Sequence, residues 1–573
     1  MHRCPHRLRL TALLLAGSAA SLGAQSPAPD VDSLLATLNT RQKAAQLVMP
    51  WIAGSYVAFD DPGFRRILRW VDSMEVGGVI VSIGSPGDIA AKLNHLQQRA
   101  PLPLLVASDL EGGTAFRFTG GTGFPTNMGV GASGREDDAY QMGRIIAQEG
   151  RAVGVHITFS PVADVNNNPN NPIINTRSFG GDPALVARLV AAQVRGTQEH
   201  GMLATAKHFP GHGDTETDSH LSLPVVSADW ARIDSLELVP FRAAVDAGVA
   251  LVMSAHVAMP GIDGGRTRPA TMAPEILTGI LRDSLGFEGL IVTDALDMGG
   301  VTSRYGPADA AVQALLAGSD LLLQPRDVGA TIDAVERAVA QGRVPLERLD
   351  RSVRRVLEIK AGLGLFQRRT VDLDQVGDLV GSQQALSTAG AVSARSLVLL
   401  KDSAGVIDRL AGGPRRIALV TYGEANAASL GGVLAGALRR QGHSTTLYRL
   451  YPSSGPASFD SARTVLNRND VRLLAVSVRA REGKGSVAMP RALATLIDRA
   501  SADGPAMLIS LGSPYLITQT PSVPGYLLAW ISNPLTETAV AQALAGAEIS
   551  GTLPVTIPPA YRIGAGLRRG GSP

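Results

Sequence analysis

The chain has 573 residues, of which 45% are hydrophobic, 18% charged and 4% aromatic, with a formal net charge of +3. That balance is globular and excludes a disordered or collagen-like chain, and the length points to two domains. No apolar run reaches the roughly 20 residues that a membrane helix needs.

Residues 1–24 begin with Arg3, Arg7 and Arg9, pass through an apolar stretch at 10–16 and end on small side chains up to Ala24. Basic, apolar and small residues in that order read as an export signal cleaved after Ala24, so the mature chain is expected in the periplasm or outside the cell. Cleavage leaves 50 basic and 50 acidic residues, which removes the case for a nucleic-acid binder. It also removes Cys4, the only cysteine, which is not placed like a lipid anchor. The mature protein then has no disulfide and no thiol chemistry, and its core has to hold it.

From about residue 46 to residue 324, apolar runs alternate with amphipathic ones. Strands are predicted at 47–52, 77–82, 104–108, 157–161, 204–207, 251–255, 290–294 and 321–324. Parallel strands buried on both faces have this near-continuous apolar character. Between them, Ala139, Met142 and Ile146 give helical spacing. Asp182 reads as an N-cap before Pro183, with Leu185, Val186, Leu189, Val190 and Val194 on one stripe. Eight strands with helical crossovers fit a TIM-type (β/α)8 barrel or an open, doubly wound sheet. The polar residues favour the barrel. Asp109 with Glu111, Asp164, Lys207 with His208, His256 and Asp294 all fall at C-terminal strand ends, which a barrel gathers on one rim.

A second α/β region follows, with strands predicted at 396–400, 416–422, 445–450, 472–478, 506–511 and 526–531. The expected layout is a catalytic barrel at 25–367, a linker at 368–390, a smaller α/β sandwich domain at 391–563 and a frayed tail at 564–573. Gly483-Lys484-Gly485 lacks the strand–turn–helix context of a nucleotide site.

Three segments carry candidate chemistry. The first runs Lys207-His208-Phe209-Pro210-Gly211-His212-Gly213-Asp214 and on to Asp218-Ser219-His220, with three of the eight histidines that follow residue 24. Its proline and glycines exclude a regular helix, so it is a loop leaving a strand. Asp218 holding one ring nitrogen of His220 would make the other a proton shuttle. Two other readings stay open: His208, His212 and His220 as metal ligands, or a polar surface loop.

The second segment, 289–298, puts Asp294 at the end of a buried strand, which is costly for a carboxylate unless it is used or paired. Asp294 is the preferred nucleophile, and Asp297 suits a capping or helix-start role. The third, 107–118, offers Asp109 to accept sugar hydroxyls and Arg117 to fix a hydroxyl or acyl oxygen, with Glu111 as a supporting or turn residue. Arg177 adds a polar group on a long loop, with a surface salt bridge as its plain alternative.

Together, KHFPGHGDT…DSH, EGG and VTDAL resemble family 3 glycoside hydrolases, specifically their bacterial β-N-acetylglucosaminidase branch. The likeness runs from about Gln42 through the barrel and, more loosely, into 396–401 and 548–555. Thr114 stands where that branch often has arginine. The resemblance implies a retaining exo-glycosidase that releases terminal β-linked N-acetylglucosamine from peptidoglycan fragments or chitooligosaccharides. It implies Asp294 as covalent nucleophile and His220, paired with Asp218, as acid/base. Asp109, Arg117, Arg177, Lys207 and His208 would then touch the sugar, with no metal and no cofactor.

Two neighbouring activities are alternatives. A β-glucosidase-type enzyme would take its acid/base from the second domain, where Glu482 is the candidate. A phosphorylase would exploit a histidine that does not repel phosphate. A non-catalytic sugar binder would lack a nucleophile or proton donor, and this chain has both Asp294 and His220. The expected partner is a carbohydrate, without nucleic acid or membrane span, and nothing in the sequence bears on oligomeric state.

Overall fold

The structure is a computed structural model describing residues 30–424, 429–480, 483 and 486–570. The expected export segment 1–24, with Cys4, and the alternative acid/base Glu482 lie outside the described residues. Among the described residues, no helix is long and apolar enough to cross a membrane.

The first domain carries strands β1 (Val48–Met49), β2 (Trp51–Ala53), β3 (Gly78–Ser82), β4 (Leu105–Ser108), β5 (Ile157–Thr158), β6 (Leu203–Phe209), β7 (Leu251–Ser254), β8 (Leu290–Thr293) and β9 (Leu322–Leu323). Strands β2 to β8 pair in chain order, all parallel. At the far side Val292 of β8 bridges Leu321, and β9 pairs with β1 through Val48↔Leu322 and Met49↔Leu323. The sheet thus closes on itself. β1 and β2 are the two halves of one predicted strand, separated by Pro50, which has no N–H to give to a ladder. Counted as one, they complete the eight strands of a TIM-type barrel. β5 is shorter than its apolar run suggested, ending at Thr158, although Phe159, Ser160 and Pro161 still make single backbone bonds to β4 and β6.

Strands β3, β4, β7 and β8 are buried along their whole length, as uninterrupted apolar runs require. Helices cover the outside. Helix Pro183–Gln198 is capped by Asp182, whose side chain accepts from the N–H of Ala184 at 3.0 Å, and Val186, Leu189, Val190 and Val194 turn inward. Helix Glu136–Ala152 likewise buries Ala139, Met142 and Ile146.

The second domain is built on β10 (Val398–Asp402), β11 (Arg416–Tyr422), β12 (Ser444–Leu450), β13 (Val471–Val476), β14 (Ala506–Ser510) and β15 (Gly525–Leu528), in the order β10-β15-β14-β13-β11-β12. All neighbours are parallel except β10 and β15. Separate apolar clusters cover its two faces, giving an α/β sandwich. Helix Gln383–Arg395 leads into β10 while burying Ala385, Ala389 and Val392 in the barrel's own cluster, so position 391 falls inside one helix.

The expected fraying of the C-terminal tail is corrected for residues 564–570. Edge strand β10 leaves backbone groups unpaired, and the tail takes them up. The N–H of Leu567 donates to the carbonyl of Leu399 at 2.7 Å, Arg569 bridges Ile549, and the Arg569 guanidinium sits 2.9 Å from Asp408. The domains also meet directly. Thr552 N–H donates to Ala132 O at 3.0 Å, Gly181 N–H to Pro554 O at 2.9 Å, and Asn166 Nδ2 to Tyr515 OH at 3.1 Å.

Candidate active site

A cavity of about 800 Å3 opens at the C-terminal ends of the barrel strands, and Arg479 and Ala480 of the second domain form part of its wall. Asp109, Arg117, Arg177, Lys207, His208, His220 and Asp294 all line it. Asp218 is buried behind His220.

One side of the cavity is a charge network. Lys207 Nζ lies 2.8 Å from Asp109 Oδ1 and 2.8 Å from Glu111 Oε1. Arg177 grips Glu111 with both arms, Nε to Oε2 at 2.9 Å and Nη2 to Oε1 at 2.7 Å. Arg117 Nη2 is 3.4 Å from Asp109 Oδ2, with its guanidinium over the Phe116 ring. Burial alone would neutralise these groups, but the pairing outweighs it. Arg177 and Lys207 hold the Glu111 carboxyl well below its usual range, and the two carboxylates push Lys207 up. Glu111, read from sequence as a supporting or turn residue, is the hub of this network. The plain surface reading of Arg177 gives way to a bidentate pair with a buried carboxylate.

Asp164 organises the next layer. Its Oδ2 accepts from His208 Nδ1 at 2.7 Å, and its Oδ1 accepts the backbone N–H groups of His208 and His212 at 3.2 and 2.7 Å. His212 is buried with its ring between Thr215 Oγ1 (2.8 Å) and Ser219 Oγ (2.9 Å), and burial pushes its pKa down to about 4. The histidine-rich loop is therefore braced from inside. Gly213 lets it pack on the chain after β5, since a Cβ there would stand 1.8 Å from the carbonyl oxygen of Val165. As for the metal reading, His208, His212 and His220 turn to different partners, and among the described residues no three His, Cys, Asp or Glu side chains could hold an ion.

The same loop carries the proposed proton shuttle. His220 Nδ1 donates to Asp218 Oδ1 at 2.8 Å, which also accepts the backbone N–H of His220 at 2.9 Å. Asp218 Oδ2 accepts the backbone N–H of Gly483, from the second domain, at 2.8 Å. Burial raises the Asp218 carboxyl, but these donors hold it below its ordinary value, so it stays ionised. A buried carboxylate on Nδ1 fixes the tautomer and leaves the basic lone pair on Nε2.

Asp294 lines the same cavity, directly after β8. Its Oδ1 accepts from the N–H of Ala295 at 2.8 Å, and His256 Nε2 donates to the carbonyl of Ala295 at 2.9 Å, steadying that peptide. Burial works against the Asp294 charge, yet the surrounding imidazoles of His208, His256 and His220 bring its pKa down to about 2. The chain beyond Asp294 is tied to the shuttle loop, with Gly299 N–H donating to His220 O at 3.1 Å and Gly300 N–H to Ser219 O at 2.9 Å. A Cβ at Gly299 would approach His220 O to 2.7 Å, so the glycine permits this contact.

Asp297 is corrected: it does not start or cap the next helix, Gly299–Thr302, whose N-cap is Met298 with no side-chain bond. It accepts from Gln324 Nε2 at 3.0 Å, across the rim from β9, and lines the cavity. Thr114 bonds the buried Glu149 carboxylate, which also accepts the N–H groups of Thr122 (3.0 Å) and Gly381 (2.9 Å). The local packing around Thr114 is thus complete without an arginine.

Sequence reasoning missed the hub role of Glu111, the double grip of Asp164, and the second domain's share in the wall. The signal for Glu111 was its acidic side chain two residues past Asp109, in the turn that follows β4. Arg479 and Gly483 carried no such signal. Chemically, one cavity holds an ionised carboxylate, a carboxylate-backed imidazole and a network of paired charges.

Residues 39–359 match the glycosyl hydrolase family 3 N terminal domain and residues 304–564 the glycosyl hydrolase family 3 C-terminal domain. The chain is 30% identical to the beta-N-acetylglucosaminidase/beta-glucosidase of Cellulomonas fimi, over 84% of its own length and 88% of the relative's. Among solved structures, the family 3 beta-N-acetylglucosaminidase of Paenibacillus sp. str. FPU-7 superposes with a TM-score of 0.81 at 32% identity, covering 91% of this chain and 99% of that one. The beta-glucoside phosphorylase BglX superposes with a TM-score of 0.83 at 26% identity, covering 92% and 96%.

Proposed function

This chain belongs to glycosyl hydrolase family 3, and on that premise we propose that it is an exo-acting, retaining β-N-acetylglucosaminidase. One observation carries the reading: Asp294 and the Asp218–His220 pair line or back a single cavity and are held together by the Gly299–His220 and Gly300–Ser219 hydrogen bonds. His220 Nε2 protonates the leaving oxygen while Asp294 attacks the anomeric carbon. Water, deprotonated by His220, then releases the sugar with its configuration kept. Asp109, Arg117, Arg177, Lys207 and His208 bind the sugar hydroxyls. The pattern of residues 1–24 supports export, and peptidoglycan fragments or chitooligosaccharides ending in N-acetylglucosamine are the substrates proposed.

The test is a panel of aryl glycosides on the native enzyme and on His220→Ala. N-acetylglucosaminide should be cleaved in preference to glucoside. In His220→Ala, turnover should fall about 10²–10⁴-fold, and least for the best leaving groups, which need no proton. Equal loss across leaving groups would remove His220 from the acid role. Phosphate added to the same assay separates the phosphorylase reading, because only a phosphorylase yields the sugar 1-phosphate.

A further inference from the structure

The end of the barrel opposite the catalytic cavity holds a second cavity, of about 390 Å3, where the chain leaves helix Leu346–Gly362 and turns back under the strands. Arg151, His156, Arg368 and Arg369 line it, and no Asp or Glu does. His156 immediately precedes β5, and Arg151 stands in the last turn of helix Glu136–Ala152. The site is therefore at the N-terminal face of the sheet, away from the strand ends that carry Asp294 and His220.

The groups here are prepared as donors. Val106 N–H donates to His156 Nδ1 at 3.1 Å, so the ring proton sits on Nε2. Arg151 is partly buried, and its Nη1 has no hydrogen-bond partner among the described residues. Behind it Lys360 is fully buried, donating to the neutral Gln46 Oε1 at 2.6 Å. Burial and the neighbouring cations depress Arg151, His156 and Lys360 alike, Lys360 to about 7. Guanidinium groups do not discharge near neutral pH, so a cluster of them without a counter-charge is unfavourable unless an anion completes it.

We propose that this cavity is an oxyanion-binding site, in which Arg151, Arg368, Arg369 and His156 Nε2–H receive a phosphate, sulfate or carboxylate group. Arginine forks suit such oxygens in pairs. The bound anion joins helix Glu136–Ala152, the start of β5 and the connector at 363–371, and so fastens the join to the second domain.

The experiment uses the full chain and inorganic phosphate or sulfate as probe, against sodium chloride at equal ionic strength. Phosphate and sulfate should raise the melting temperature by about 2 °C near ten times their Kd, and chloride should not. Arg151→Gln and Arg368→Gln should each abolish the rise. Arg368 is exposed, so Arg368→Gln should fold and keep full glycosidase activity, and it decides alone where Arg151→Gln does not fold. A rise that persists in Arg368→Gln would put the anion elsewhere, the catalytic cavity included, and overturn the proposal. So would a native protein that phosphate stabilises no more than chloride does.

Discussion

At the C-terminal rim of the barrel, Lys207 and Arg177 are buried against Asp109 and Glu111. At the opposite end, Lys360 is buried against a neutral amide and Arg151 faces Arg368. The difference separates two ways of burying charge. On the rim the partners are built in, so the pocket is polarised and rigid before any sugar arrives, which favours preorganised binding over reorganisation. Under the barrel the counter-charge is left out, and the protein accommodates this by depressing Lys360 and by leaving room for an anion.

The largest expected effect lies on the rim. Asp294→Ala should lower kcat by about 10⁴-fold or more, since it removes the nucleophile proposed for both steps. Its urea midpoint should stay at or above that of the native chain. A variant that turns over at near-native rate would end the assignment.

Next is the charge network itself. Lys207→Met leaves Asp109 and Glu111 short of a cation and should destabilise by about 3–5 kcal/mol in urea unfolding, as breaking a buried pair does. A loss below about 1 kcal/mol would show that the rim is no more balanced than the other end.

His212 gives a smaller, pH-dependent term. Its folded pKa of about 4 lies below its ordinary 6.5. The unfolded chain therefore binds the extra proton first, and stability present above pH 6.5 is lost as pH falls through 4. His212→Gln should lack that part of the acid sensitivity, compared by urea midpoints between pH 7 and 4.

At pH 7 the smallest effect belongs to the far end. Lys360→Met should be neutral or stabilising by about 1 kcal/mol, in contrast to Lys207→Met. With a folded pKa of about 7 against 10.5 unfolded, native stability should climb relative to the variant as pH rises from 7 toward 10. A flat difference would mean that Lys360 keeps its proton.

The barrel was legible because parallel strands buried on both faces are written as apolar runs, and Asp294, Lys207 and His208 stand where those runs stop. Pro50 divided one strand without hiding it. Asp218 and His220 were legible as a pair because a single loop residue, Ser219, separates them. What stayed hidden was what depends on distant pairing. Glu111 meets Arg177 across 66 positions, and Asp297 turns to Gln324 rather than to its own helix. The tail's attachment to β10 was masked by its glycine-rich composition, since backbone hydrogen bonds need no side-chain pattern.

The bond from Gly483 to Asp218 has a consequence for ancestry and engineering. A peptide N–H contributed by one folding unit helps fix the ionisation of a carboxylate in another. An exchange of the second unit that moves this loop therefore takes a donor from Asp218 even when every side chain of the first is kept, so the path of that loop has to be inherited, or redesigned, together with the first unit.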